Sequence, residues 1–143
     1  MKAVVQRVSR AEVRVDGAVV GVIGRGLVVL LGVARGDTDA DAAALAAKVA
    51  KLRVFPSERR PIDSALADVG GAALVVSQFT LCADLSRGNR PSFIGAAPPE
   101  EAERLYGVFC GRLREAGVPV ETGTFGAMMD VELVNDGPVT IVL

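Results

Sequence analysis

Residues 75–84 read VVSQFTLCAD and place two hydroxyls, Ser77 and Thr80, around Gln78 and Phe79 in an otherwise apolar run. Either hydroxyl would suit a nucleophile if a base stood beside it. The 143-residue chain contains no histidine, and its lysines, Lys2, Lys48 and Lys51, fall at the N-terminus and late in the first predicted helix. A side-chain triad is ruled out on inventory alone. Read as a strand, the run puts Ser77 on the face of Val75, Phe79 and Leu81, and Thr80 on the face of Val76, Gln78 and Cys82. The two hydroxyls then point opposite ways and cannot act as a dyad. Hydroxyls bonded to nearby backbone are the structural explanation.

Two further stretches carry candidate chemistry. In SRGNRPSF, residues 86–93, Arg87 and Arg90 flank Gly88 and suit bidentate phosphate binding, with Phe93 as a stacking face; solvated loop arginines are the plain alternative. In VNDGPVTIVL, residues 134–143, Asn135-Asp136-Gly137 is a hairpin signal, yet Pro138 follows at once and opens a strand without an N–H to give. A trans proline in an ordinary turn is the common case. A cis bond would aim two consecutive carbonyls the same way, a rigid acceptor pair. Arg7, if it faces inward, needs acceptors of that kind.

The elements that position these residues follow from periodicity. Residues 2–32 alternate with period two and are punctuated by glycine, which predicts an antiparallel meander turning at Asp16-Gly17 and again at residues 24–26. Leu45, Val49 and Leu52, widened by Ala42, Ala46 and Ala50, predict a helix capped by Asp37 or Thr38, with Asp39 and Asp41 in its first turn and Lys48, Lys51 and Arg53 at its end. Residues 55–61 read as an exposed polar loop. Residues 73–83 return to strand, and a second helix starts at Pro98-Pro99, buries Ala102, Leu105, Phe109 and Leu113, and stops at Gly117. Gly107 and Gly111 inside it suggest close packing of helix on sheet. Three strands finish the chain. The expectation is one α+β domain over residues 1–143: a curved, barrel-like, mostly antiparallel sheet with two main helices packed on one side.

Composition excludes several classes. A net charge of −1 gives no global pull toward polyanions. The longest apolar run, residues 26–34, falls far short of the ~20 residues that span a bilayer, and the N-terminus has no signal-peptide pattern, so a cytoplasmic protein is expected. Cys82 and Cys110 lack metal-ligand spacing and read as buried free thiols. Without histidine or a cysteine cluster, a zinc or transition-metal site is not expected, because those ions prefer imidazole and thiolate. A hydrophobic fraction of 50% favours an oligomer that covers apolar surface.

Taken together, VVSQFTLCAD, GNRPSF at 88–93, ETGTFGA at 121–127 and VNDGPVT at 134–140, with MKAVVQRVSRAEVRVDG at the start and DVGG at 68–71, closely resemble the D-aminoacyl-tRNA deacylase (D-tyrosyl-tRNA deacylase) family. The resemblance covers nearly the whole chain. It implies an editing esterase that frees tRNA from D-amino acids, working on the 3′ end of aminoacyl-tRNA as a homodimer with sites at the subunit interface, without metal or cofactor. It implies that Gly137-Pro138 is cis, enters the partner's pocket, holds the substrate ammonium and leaves no room for an L side chain, with Arg7 bracing it. Ser77, Gln78, Phe79 and Thr80 would line the pocket for the terminal adenosine and the ester, and Arg87, Arg90 and Phe93 remain candidates for tRNA contact. A pocket that selects by excluding an L side chain would also accept glycyl-tRNA.

Two mechanisms stay open: attack by Thr80, the traditional assignment in the family, or attack by water positioned with help from the ribose 2′-hydroxyl. The second is favoured because an aminoacyl ester is already activated and Thr80 has no base. Pro61-Ile62-Asp63 stands where many relatives carry Met-Asn, and Cys82 where an aromatic residue is frequent. A non-catalytic RNA-end binder and a general small-ester hydrolase are the readings from other classes.

Overall fold

In a computed structural model describing residues 1–143, the chain opens with β1 (Lys2–Val15), which reverses at Asp16-Gly17. Both turn residues have positive φ, 50° and 80°. This is the turn geometry whose twist matches the flanking strands, and Asp-Gly adopts it readily. The return arm is β2 (Ala18–Ile23) and then β3 (Gly26–Gly32), which pair in succession, antiparallel, with the C-terminal and N-terminal parts of β1. The expected second reversal at 24–26 is absent. Because β1 is 14 residues long, it pairs with both strands in turn, and Gly24-Arg25 is only a break in one long arm.

On its other edge β1 pairs antiparallel with β6 (Asp130–Val142). β3 pairs in parallel with β4 (Ala72–Ser77), and β4 in parallel with β5 (Val120–Thr122). The sheet is therefore mixed, curved and nearly closed. β2 backs onto β5 so tightly that a Cβ on Gly21 would stand 2.4 Å from the Thr122 carbonyl oxygen. Parallel pairing explains why β3 and β4 read as continuous apolar runs: both faces are covered. Leu27, Val29, Leu31, Ala73 and Val75 face the helices, while Val28, Leu74 and Val76 join Val8, Ala11, Val13 and Ile23 inside the curl.

Helices α1 (Asp39–Ala50) and α2 (Pro99–Glu115) pack on each other and on the same sheet face. Thr38 and Asp41 form a reciprocal capping box at the start of α1. α2 buries Leu105, Tyr106, Phe109, Cys110 and Leu113, and each large side chain contributes about 1.5–3 kcal/mol by leaving water. Arg104 ties the helices through Asp39 at 2.8 Å. Gly107 and Gly111 do not mediate helix-on-sheet packing: nothing lies within 4 Å of a Cβ built on either. The residues that do pack are one position removed, at Tyr106 and Cys110. Phe55 also departs from expectation. It opens the polar loop yet is fully buried, because its backbone N–H and carbonyl bond with Ser64 and fold it under the sheet.

Parity along β1 decides where Arg7 goes. Ala3 and Val5 face the helix-side core, and Arg7 shares their face. A register shift between Val8 and Arg10 then turns the strand, so that Ala11 and Val13 point into the second core. No helix is long and apolar enough to cross a membrane.

Candidate active site

β4 ends at Ser77, earlier than the expected strand. The N–H of Gln78 still bonds the Leu31 carbonyl at 2.8 Å, but with ψ at 78° the chain leaves the sheet and winds into a 3-10 turn over Phe79–Cys82. The alternating faces expected across Ser77 and Thr80 therefore do not exist. The reason is packing. Leu81 Cβ and the Gln78 carbonyl oxygen would each stand 3.0 Å from a Cβ on Gly32, so the turn rests on bare β3 backbone.

The first hydrogen bond of this turn runs from the Leu81 N–H to the Gln78 carbonyl, 3.2 Å. The N–H groups of Phe79 and Thr80 come before it and are not consumed by the turn. The Gln78 amide donates to Thr80 Oγ1 at 2.5 Å. Phe79 is 55% exposed and meets Phe93 edge-on, ring centroids 4.9 Å apart. Behind the strand, Tyr106 donates its hydroxyl to the Val75 carbonyl at 2.6 Å, and burial raises its pKa well above the ordinary 10. Burial likewise pushes the Cys110 thiol up to about 11.

Ser77, Gln78, Phe79 and Phe93 line one cavity of about 750 Å³. Most of its remaining wall comes from the residues just after β3, the approach to and start of α2, and the loop before β6, including Phe125, Met128 and Met129. Thr80 is exposed, touches this group only through Gln78, and is not part of the wall. Arg87 and Arg90 are exposed on the loop after the 3-10 turn, likewise outside the wall. That loop is closed at its base by reciprocal bonds between Asp84 and Ser92, 2.8 and 2.9 Å. Ile62 is exposed and Asp63 pairs with Arg53 at 2.6 Å, so the departure at 61–63 lies outside this wall, and its Pro61 carbonyl meets Arg7 instead.

Gly137, Pro138 and Arg7 form a separate group. Val8 pairs with Asn135 and Gln6 with Thr140, so residues 136–139 oppose Arg7 alone. The expected hairpin at Asn135-Asp136-Gly137 is instead a wide bulge inside β6, because strand pairing with β1 resumes beyond it. The Gly137-Pro138 peptide is cis and Gly137 has φ of 128°. Arg7 is 8% exposed. Its guanidinium donates to the carbonyls of Asp136 (3.0 Å), Val54 (2.7 Å) and Pro61 (3.3 Å), and the Asp136 carboxylate lies 3.4 Å away. Asn135 Nδ2 donates to the carbonyls of Arg7 and Val139, both 3.0 Å, and so staples the bulge at its neck. Asp136, Gly137 and Pro138 face outward, and none of them lines the cavity of the same chain.

Sequence reading missed Asn135 as the staple, Gly32 as the bed of the turn, and Phe125, Met129 and Arg35 as cavity residues. The flanking glycines of GTFGAMM signal a loop, but nothing local tells which cavity the loop closes. No three Asp, Glu or Cys side chains gather as a metal site.

A model of the D-Tyr-tRNA(Tyr) deacylase family matches residues 4–143. The D-aminoacyl-tRNA deacylase of Anaeromyxobacter dehalogenans (strain 2CP-C) is 65% identical over 143 residues, 100% of this chain and 96% of that protein. The D-aminoacyl-tRNA deacylase of Deinococcus radiodurans is 57% identical over 143 residues, 100% and 99% of the two chains. Among solved structures, a c-Myc DNA unwinding element binding protein matches with a TM-score of 0.93 at 44% identity, covering 100% of this chain and 97% of that one. A probable eukaryotic D-amino acid tRNA deacylase matches with a TM-score of 0.82 at 20% identity, over 99% and 97%, a likeness of fold.

Proposed function

The chain belongs to the D-Tyr-tRNA(Tyr) deacylase family and is a D-aminoacyl-tRNA deacylase, and from that premise we propose how its residues carry out the hydrolysis. The terminal adenosine of the aminoacyl-tRNA enters the 750 Å³ cavity. Phe79 and Phe93 supply apolar faces, and Ser77 and Gln78 the polar contacts. The ester carbonyl lies over the 3-10 turn, where the N–H groups of Phe79 and Thr80 take up the charge that develops on its oxygen; one such donor contributes ~3 kcal/mol. Water adds to the carbonyl carbon, the ribose oxygen leaves with a proton, and the products are the free D-amino acid and tRNA. The neighbouring 2′-hydroxyl orients the water, and Thr80 positions rather than attacks. Supporting this is the turn itself: two N–H groups ahead of its first hydrogen bond, a threonine held by an amide, and no imidazole in the chain.

Chirality is set from a second subunit. In a homodimer, Gly137-Pro138 of one chain enters the cavity of the other, holds the substrate ammonium through its carbonyls and leaves no space for an L side chain. In support, this group faces outward and does not line the cavity of its own chain, while Arg7 and Asn135 hold its base rigid. Glycine carries no side chain to exclude, so glycyl-tRNA is also cleaved. The protein acts as one domain in the cytoplasm without a cofactor.

The test is purified protein with matched D-tyrosyl-, L-tyrosyl- and glycyl-tRNA. The D and glycyl esters are expected to turn over and the L ester to persist. Equal hydrolysis of D and L esters would remove the selection mechanism; full resistance of the glycyl ester would remove exclusion as its basis.

A further inference from the structure

The cavity that holds the candidate active site is lined by 18 residues, and Arg35 is the only charged one. It follows β3, and the fold grips its stem. The Arg35 backbone N–H donates to the Gly95 carbonyl at 2.9 Å, and its Nε donates to the Ile94 carbonyl at 2.6 Å. The two Nη groups have no protein acceptor, and no carboxylate lies within salt-bridge distance. Asp37, two residues on, is engaged elsewhere: it takes the N-terminal ammonium at 2.7 Å and the Ala34 N–H at 2.7 Å.

Other sources of positive charge at this mouth are weak. α2 starts here, but Pro98 and Pro99 carry no N–H and Glu100 and Glu101 fill its first turn, so its end offers little to an anion. Arg87 and Arg90 lie outside the wall. An anion arriving with an apolar, ring-shaped group therefore meets one guanidinium, anchored at Nε and free at both Nη atoms. That fork matches two oxygens of a phosphate.

We propose that Arg35 binds the phosphodiester on the 5′ side of the terminal adenosine of the aminoacyl-tRNA. This rests on the reading of the cavity as the adenosine site. The contact is to backbone and carries no base information, so it serves every tRNA alike.

Two small esters that differ by one phosphate test it: 3′-O-(D-tyrosyl)adenosine and its 5′-monophosphate. With the unaltered protein, kcat/KM is expected to be about tenfold higher for the phosphorylated ester. In Arg35→Gln that preference collapses toward unity, Arg35→Lys retains part of it, and KM for D-tyrosyl-tRNA rises about tenfold with kcat little changed. A preserved preference in Arg35→Gln would overturn the proposal. So would an equal loss on both esters, which would mean that Arg35 only shapes the loop through Ile94. Failure of the unaltered protein to hydrolyse D-tyrosyl-tRNA at all would instead take away the reading on which the contact rests.

Discussion

Thr80 is the residue on which the proposed mechanism turns. Its hydroxyl accepts a hydrogen bond from Gln78 at 2.5 Å, is exposed, and has no base beside it. A threonine in that setting is a poor nucleophile but a competent anchor. Thr80→Ala is expected to lower kcat by no more than about tenfold, the worth of one positioning hydrogen bond. Single-turnover rates with D-tyrosyl-tRNA check this, and complete loss in a folded variant would restore threonine attack. Arg7 illustrates another residue-level rule. A guanidinium that is 8% exposed holds three carbonyls and only one peripheral carboxylate. Its partners are backbone groups, which cannot swing away, so it fixes the geometry of the bulge more firmly than a surface ion pair would.

At the scale of elements, the 3-10 turn and its bed act as one unit. A methyl group on Gly32 would press the Gln78 carbonyl and Leu81 Cβ, both at 3.0 Å, and the first of these is backbone. The turn has to move by a few tenths of an ångström, carrying Phe79 and Thr80 with it. Gly32→Ala is expected to reduce kcat about tenfold with KM nearly unchanged, because misplacement affects the reacting geometry more than adenosine binding. Steady-state kinetics separate the two parameters. The start of α1 yields a pH prediction. The Thr38 N–H and hydroxyl hold the Asp41 carboxyl below its ordinary 3.8. A carboxyl with a lowered folded-state pKa stabilises the fold above its ordinary value, and that stability is lost as pH falls through the lower one. Asp41→Asn is expected to lower Tm at neutral pH, with the difference shrinking as pH falls below the ordinary carboxyl value of 3.8. Thermal melts followed by circular dichroism across this range check the sign.

For the whole molecule, the separation of the two residue groups is the central fact. Ser77, Gln78, Phe79 and Phe93 share a cavity that excludes Gly137 and Pro138 of the same chain. If a partner supplies the missing half, two damaged subunits can repair each other. Gly137→Ala strains a φ of 128° and brings a Cβ to 2.9 Å from Arg7 Nη2, while Phe79→Ala removes part of the cavity wall. In mixed dimers, one of the two sites has an intact wall from one subunit and an intact bulge from the other. Unfolding and refolding the two variants together is expected to recover about a quarter of the D-specific activity, half of the sites in half of the dimers. No recovery in a mixture shown to contain mixed dimers would place each site within one chain.

What the sequence determined by itself is what depends on neighbours within a few residues. The Asp16-Gly17 reversal, the capped α1, the apolar stripe of α2 and the α+β class follow from turn chemistry and periodicity, and the motif set carried the family. The missing histidine excluded a triad on inventory alone. Tertiary structure decided the rest, because those features depend on partners far along the chain. β4 stops at Ser77 because bare Gly32 backbone accepts the turn, and VNDGP becomes a bulge because β1 keeps pairing beyond it. Arg7 reaches Asp136, 129 positions away, and Arg35 reaches Ile94, 59 away. Periodicity reports which face a side chain takes; only the closing of the sheet decides what that face meets.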